Sequence, residues 1–358
     1  MQINNAKGNR KDTMSSGNYL KTDEVIKHPA PINCRLTINF DEFYNSIFPN
    51  INSIEYSQII KYPDENYNEL KSILRKKLNI KKKLIFGSGS EDLIIIINRY
   101  LERKGFRVGI IRPIFYRTIE TCFSKKIIFI KESNIKGFDY SKVDAVWINR
   151  PNLFTGEVIN KHFVLKLIRD NPTVLFIIDE AAIFSIADWR KQTLMNCNIP
   201  KNVIIVGSFS KMFGIASLRV GFATGNQTIL NGIKKLGTTF PVSSIASFFL
   251  IHLLRNLKFL STINKRIEKN KKLVESILKK EFNVTVKNSA LNCIFLRNKY
   301  DPDFYNKLIE IGILGLKLDC IPGILEKGWI RICIPSSEKI TNKIISRLKT
   351  IKKMTNHE

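Results

Sequence analysis

Between about residue 64 and residue 245 the chain alternates short apolar runs with amphipathic stretches, and this rhythm limits its fold more than any other feature. The runs are "KKLIFGSGS", "RVGIIRP", "KKIIFIK", "DAVWINRP", "TVLFIIDEA" and "NVIIVGSFS". Brief apolar runs bounded by turn residues suit strands covered on both faces, as in parallel sheets. Between them, "NYNELKSILRKKL" places Leu70, Ile73, Leu74 and Leu78 on one helical face. "EDLIIIINRYLERKG" reads as a helix with Gly105 just past its end, and "FYRTIETCF" and "KHFVLKLIRDN" are also helical. Strand and helix in alternation predict an α/β fold, with a mostly parallel central sheet flanked by helices.

Past residue 245 the texture changes. A long, basic helical region, "ASFFLIHLLRNLKFLSTINKRIEKNKKLVESILKK", leads into "FNVTVKNSALNCIFLRN", "DFYNKLIEIGILG", "WIRICIP" and a last helix, "EKITNKIISRLKTIKKM". That order suggests a smaller C-terminal α+β domain. The expected division is an N-terminal arm over 1–38, a large domain over 39–250 and a small domain over 251–358. The first thirty residues are polar, read as a mobile arm, and hold no apolar core that could serve as a signal peptide.

Composition narrows the function classes. With 358 residues, 44% of them hydrophobic, the chain can bury a large core. Its longest apolar runs are too short to cross a bilayer. The six cysteines form no C-x-x-C pair and the four histidines show no ligand spacing, so neither a metal site nor a disulfide framework is expected. Reduced cysteines fit a cytoplasmic protein. The net charge of +27 is spread along the chain, densest at "LRKKLNIKKKL". It carries no aromatic-interleaved basic motif, so it reports solubility and loose attraction to anions rather than a nucleic-acid partner.

In open parallel sheets ligands sit beyond the carboxyl ends of the strands, so the residues there carry the functional signal. Gly87-Ser88-Gly89-Ser90 follows one strand and opens a helix, a setting whose N–H groups and dipole suit a phosphate. Asp179 ends an apolar strand. Ser208, Ser210 and Lys211 end another, with Arg219 following, and Arg331 lies between apolar neighbours in "WIRICIP". Singly, each has a plain structural explanation: a cap, a turn former, half of an ion pair. Jointly they supply what pyridoxal phosphate requires, namely an amine for its aldehyde, donors for its phosphate and an acid for its ring nitrogen.

The motifs resemble those of fold-type I pyridoxal-phosphate enzymes of aminotransferase class I/II, in the branch of histidinol-phosphate aminotransferase and threonine-phosphate decarboxylase. "SFSKMFGIASLRVGF" resembles the family's cofactor-lysine motif, "GSGSEDLI" its phosphate turn, "RPIFYRT" its ring-stacking segment, "IIDEA" its D-E-A, and "WIRICIP" its carboxylate-binding arginine. The resemblance spans nearly the whole chain after the arm. It implies that Lys211 is the Schiff-base lysine and proton shuttle, Asp179 the partner of the pyridine nitrogen, and Phe115 the stacking ring. Ser90, Glu91 through its backbone, Ser208, Ser210 and Arg219 would hold the phosphate, and Arg331 the substrate carboxylate. Tyr62 matches a tyrosine that reaches the partner subunit's phosphate, implying a homodimer with shared active sites.

Two departures bear on the reaction. Aligned on Thr155-Gly156, the family asparagine that contacts the cofactor's ring hydroxyl falls on Leu153, with Asn152 one residue earlier as its replacement. The aromatic after D-E-A is Ala182, and only Lys317 carries charge where the branch has a second, phosphate-reading arginine. The expected activity is an aminotransferase acting on an amino acid or related amine. A lyase on the same scaffold, or a basic non-catalytic binding protein, are the alternatives, because the fold does not fix the reaction.

Overall fold

The computed structural model describes residues 28, 30–39, 41–124, 126–319, 321–324 and 326–355. Residues 1–27 of the expected arm, and Cys320, lie outside this set. A short strand, β1 (Ile32–Asn33), comes first. The main sheet is built from β2 (Lys83–Ser88), β3 (Val108–Arg112), β4 (Ile127–Lys131), β5 (Ala145–Asn149), β6 (Leu175–Asp179), β7 (Val203–Ser208) and β8 (Val220–Gly225). Their spatial order is β2-β8-β7-β6-β5-β3-β4. Only β8 runs against the rest, antiparallel to both β2 and β7.

The alternation of side chains along these strands fills two cores. Val146, Ile148, Phe176, Ile178, Val203 and Ile205 pack to one side; Ala145, Trp147, Leu175, Ile177, Ile204 and Val206 pack to the other. Both faces are therefore covered, which is why the runs contain no polar alternation. The helix Asn68–Leu78 buries Leu70, Leu74 and Leu78, with Glu69 in its first turn and three basic residues in its last, each charge opposing the helix dipole. The helix Gly89–Arg103 ends at Gly105, φ +67°, where the Gly105 and Phe106 amides turn back to the Glu102 and Leu101 carbonyls, the paired bonds of a Schellman cap.

Two expectations change. The long basic region divides into the helices Ser244–Arg255 and Lys258–Phe282, because Asn256 leaves helical geometry (φ −122°, ψ 64°) and its amide closes on Leu253. Strand β8, in turn, has no apolar run to announce it. Its small residues are a packing requirement: a Cβ on Gly221 would lie 2.4 Å from the Gly89 carbonyl carbon.

The C-terminal part adds β9 (Thr285–Lys287), β10 (Cys293–Arg297), β11 (Ile313–Leu314), β12 (Leu316–Lys317) and β13 (Ile330–Cys333). Strands β12-β13-β10-β9 form an antiparallel sheet, while β11 pairs with β1. Ile294, Leu296, Ile330 and Ile332 face a separate core closed by Phe304, Ile344 and Leu348. Cys293, Phe295 and Cys333, one residue out of phase, join the main core instead. No helix among the described residues is long and apolar enough to cross a membrane.

Candidate active site

The parallel strands of the main sheet, together with β2, bring Ser88, Arg112, Asn149, Asp179 and Ser208 to one rim. Along it Asn149 aligns with Asp179, and Asp179 with Val206. At the β2 end, the helix Gly89–Arg103 points its first amides outward, where a helix lacks internal partners for them. Asp92 takes the Ser88 amide (2.9 Å), and the Glu91 carboxylate is turned aside onto Arg117 (2.8 Å). Opposite, Arg219 adopts a left-handed backbone (φ +53°) that lays its guanidinium over Gly89. A Cβ there would stand 2.5 Å from Arg219 Nη2, the movable end of a long side chain, so it is the φ of +79° that favours glycine at position 89. Arg219 Nη1 donates to the Ala216 carbonyl (3.1 Å) and reaches Ser210 Oγ (3.4 Å). Ser208 Oγ accepts the Ser210 amide at 3.2 Å. Helix amides, two hydroxyls and a guanidinium thus converge on one small volume, a set of donors suited to an anion.

Lys211 continues from this cradle. Its carbonyl accepts the Asn39 amide (2.9 Å), and the next carbonyl, Met212, accepts the Tyr44 hydroxyl (2.7 Å), so the loop is fixed from outside the sheet. Burial and the positive charge of Arg331 push the Lys211 amine below the ordinary lysine range, against the pull of Cys333 and Asp179. Asp179 is 8% exposed and its Oδ1 accepts the Ala181 amide at 2.9 Å. Burial raises its carboxyl to about 6, the Ala181 amide and Lys211 holding the rise in check. Arg331 is 2% exposed, donating to the Leu153 carbonyl through Nη1 (2.7 Å) and to the Arg35 carbonyl through Nη2 (2.6 Å). It stands 5.8 Å from the centre of the Phe154 ring.

The remaining expected site residues are placed as follows. Phe115 follows β3, half-buried and edge-on to Tyr116 (4.8 Å). Asn152 is buried and its side chain ties its loop to two other segments. Its Nδ2 donates to the Pro113 carbonyl (3.0 Å) and Glu132 Oε2 (3.3 Å), and its Oδ1 accepts the Phe154 amide (2.9 Å). Tyr62 is not drawn into the cradle of its own chain: it is 84% exposed and stacks on Phe240 (5.0 Å, 16°). Lys317 stands 3.8 Å from Asp319 and over the Tyr305 ring.

Three groups beside these residues escaped the sequence reading. Arg150 and Glu180, wholly buried, form an ion pair (3.2 Å); Glu180 also accepts the Thr193 hydroxyl (2.5 Å) and the Leu194 amide (2.9 Å). Glu132, beside Asn152, is pushed up to about 7 by burial and the Glu157 charge. Cys293 and Cys333 face each other across β10 and β13 near Lys211. Charged residues inside otherwise apolar runs were the available signal for the ion pair. For Cys333 it was the two-residue period shared with Arg331, while Cys293 had none.

An amine of lowered basicity, a carboxyl poised near neutrality and an anion cradle fit the aldehyde, ring nitrogen and phosphate of pyridoxal phosphate. Comparison with known proteins agrees. The family model for aminotransferase class I and II matches residues 50–348. A histidinol-phosphate aminotransferase from Thermoanaerobacter sp. (strain X514) is 28% identical over 341 residues, covering 90% of this chain and 94% of that one. Among solved structures, L-threonine-O-3-phosphate decarboxylase from Porphyromonas gingivalis superposes with a TM-score of 0.74 at 19% identity, covering 89% and 99% of the two chains. Histidinol-phosphate aminotransferase from Sinorhizobium meliloti, solved in complex with pyridoxal-5'-phosphate, gives 0.71 at 18% identity, covering 84% and 85%. This chain belongs to the aminotransferase class I and II family, a pyridoxal-phosphate-dependent transferase of fold type I.

Proposed function

We propose that this aminotransferase exchanges an amino group between an α-amino acid and a 2-oxo acid, with Lys211 as the amine that holds the cofactor and shuttles the proton. Bound pyridoxal phosphate supplies an aldehyde that condenses with amines and a ring that draws electrons from the neighbouring carbon. The residues of this chain do the rest. Ser90, the Glu91 amide, Ser208, Ser210 and Arg219 hold the phosphate. Phe115 would stack on the ring, and Asp179 would be the acid partner of the ring nitrogen. Lys211, held toward its neutral form, can take a proton at one carbon and return it to the next. Arg331 offers two N–H groups as a fork to the substrate carboxylate, the groups that otherwise satisfy the Leu153 and Arg35 carbonyls. Asn152 supports the site by tying the 150–156 loop to Pro113 and Glu132 through its Nδ2, while its Oδ1 holds the Phe154 amide within the loop.

The observation that carries this reading is the anion cradle of Gly89, Ser210 and Arg219, with Lys211 directly after Ser210 and Asp179 buried at the end of the neighbouring strand. A homodimer goes with it. The segment 51–62 exposes Ile51, Tyr56, Ile59, Ile60 and Tyr62, a run of large apolar side chains that a second copy would cover. The division into a cofactor domain (39–250) and a small domain (251–358) is supported by the second core that Val274, Leu296, Ile332 and Ile344 build in the small domain, while Ile251, Phe259 and Cys293 of that domain pack into the main core. Free cysteines support a cytoplasmic setting.

The test is a panel of amino acids, with histidinol phosphate as an additional amine, offered to the holoenzyme together with 2-oxo acid acceptors. Transfer of nitrogen from at least one α-amino acid is expected. Release of carbon dioxide with no nitrogen transferred would overturn the reading in favour of a lyase.

A further inference from the structure

Cys293 and Cys333 belong to no motif, yet they are register partners on adjacent antiparallel strands, 0% and 4% exposed, with their sulfur atoms 2.9 Å apart. The pair occupies a non-hydrogen-bonded position. The Cys333 amide donates outward to the Cys34 carbonyl (2.8 Å), and the next amide, Ile334, crosses to Asn292 (2.8 Å). Such positions bring opposed Cα atoms to about 4.5 Å. That spacing lies inside the range of about 4.4–6.8 Å that a disulfide bridges. The register therefore brings the two thiols within bridging reach.

Their surroundings differ from those of a structural cysteine. Ile294, Leu296, Ile330 and Ile332 fill the small core, whereas Cys293 and Cys333 share the opposite face with Arg331. Burial alone would raise the Cys333 thiol, but the Cys293 hydrogen bond and the Arg331 and Lys211 charges bring it below its ordinary value. Cys293, across that bond, is pushed well above its ordinary value by burial and by Cys333. Cys333, two residues from Arg331 on the same strand face, is the sulfur beside positive charge, the setting in which a thiolate is favoured. Cys34, also buried beside them, is raised and has no such bond to Cys333 among those described.

We propose that Cys293 and Cys333 form a redox-active dithiol, in which a hydroperoxide closes an intramolecular disulfide across β10 and β13 beside Lys211 and Arg331. The Cys333 thiolate attacks one peroxide oxygen, the O–O bond breaks, and hydroxide leaves to become water, giving a sulfenic acid on Cys333. The Cys293 sulfur then attacks the Cys333 sulfur, its proton leaving with the hydroxyl as a second water. The two thiols lose two electrons and the peroxide gains them. The low exposure of the pair favours an oxidant this small over a bulky disulfide.

The test needs no substrate and is independent of the transamination reading. Freshly reduced holoenzyme is exposed to hydrogen peroxide, then denatured, alkylated and digested. The expected result is loss of two alkylatable thiols, with the peptides containing Cys293 and Cys333 recovered as one linked species, two hydrogens lighter, that dithiothreitol separates. Cys293→Ser should stop at a dimedone-reactive sulfenic acid on Cys333, and Cys197→Ser should leave the linkage intact. If either variant fails to fold, peptide mapping of the wild-type chain decides alone. The proposal is overturned if peroxide oxidises the half-buried Cys197 while Cys293 and Cys333 stay alkylatable, or if the linkage joins other cysteines.

Discussion

At the end of β6 two neighbouring carboxylates meet opposite fates. Glu180 is closed: Arg150, the Thr193 hydroxyl and the Leu194 amide occupy its oxygens, and Arg150 is held in turn by the Ile159 and Gln192 carbonyls. Asp179, one residue earlier, accepts one amide and faces Lys211 across the rim without a hydrogen bond to it among those described. Both carboxylates are buried, so burial alone does not separate a structural acid from a chemical one. Saturation of the oxygens does. A carboxylate with all its partners is fixed in place, whereas one with a vacancy beside an amine of lowered basicity can respond to a ligand.

That contrast can be broken from its closed side with the largest effect. Glu180→Ala leaves Arg150 charged, buried and unpaired, which should cost about 3–5 kcal/mol in denaturant unfolding. A loss below about 1 kcal/mol would mean that the cluster rearranges freely and is not closed. The open side should behave oppositely. In the cofactor-free protein Asp179 ionises near 6, while its unfolded value is 3.8. The folded chain therefore holds the proton more tightly, and stability is lost as pH rises from about 4 through 6. Asp179→Asn should remove that loss, making the apo protein more stable at pH 7.5 by up to about 3 kcal/mol, with no gain at pH 4. Equal stability of the two proteins at both pH values would show that Asp179 is not strained.

A smaller effect tests the far wall of the site. Arg331→Lys keeps the charge that depresses Lys211 but loses the two-pronged fork, so KM for the amino-acid donor should rise about tenfold with kcat changing less. An unchanged KM would remove Arg331 from substrate binding and leave it a tie between the Leu153 and Arg35 carbonyls.

The parts of the molecule legible in the sequence are those whose causes are local. Runs such as "TVLFIIDEA" and "NVIIVGSFS" marked β6 and β7, and the residues at their ends marked the rim, because a strand buried on both faces must be apolar until it stops. Strand β8 was hidden because its composition answers to the Gly89 turn lying against it. Asn152 looked available as a cofactor contact, yet its three hydrogen bonds run to Pro113, Glu132 and Phe154, two of them distant in sequence. Arg150–Glu180 and Cys293–Cys333 are 30 and 40 residues apart and become neighbours only through strand register. Pairing of that kind is decided by the sheet, which no local pattern records.

The central claim is that the Lys211 amine, lowered by burial and by Arg331, is where the cofactor is held. Borohydride reduction of the holoenzyme followed by peptide mapping reads this directly. The account predicts a single pyridoxyl group on Lys211 Nζ and none on Lys211→Ala carried through the same procedure. A pyridoxyl group on another lysine, or retained by the variant at the wild-type level, would contradict it.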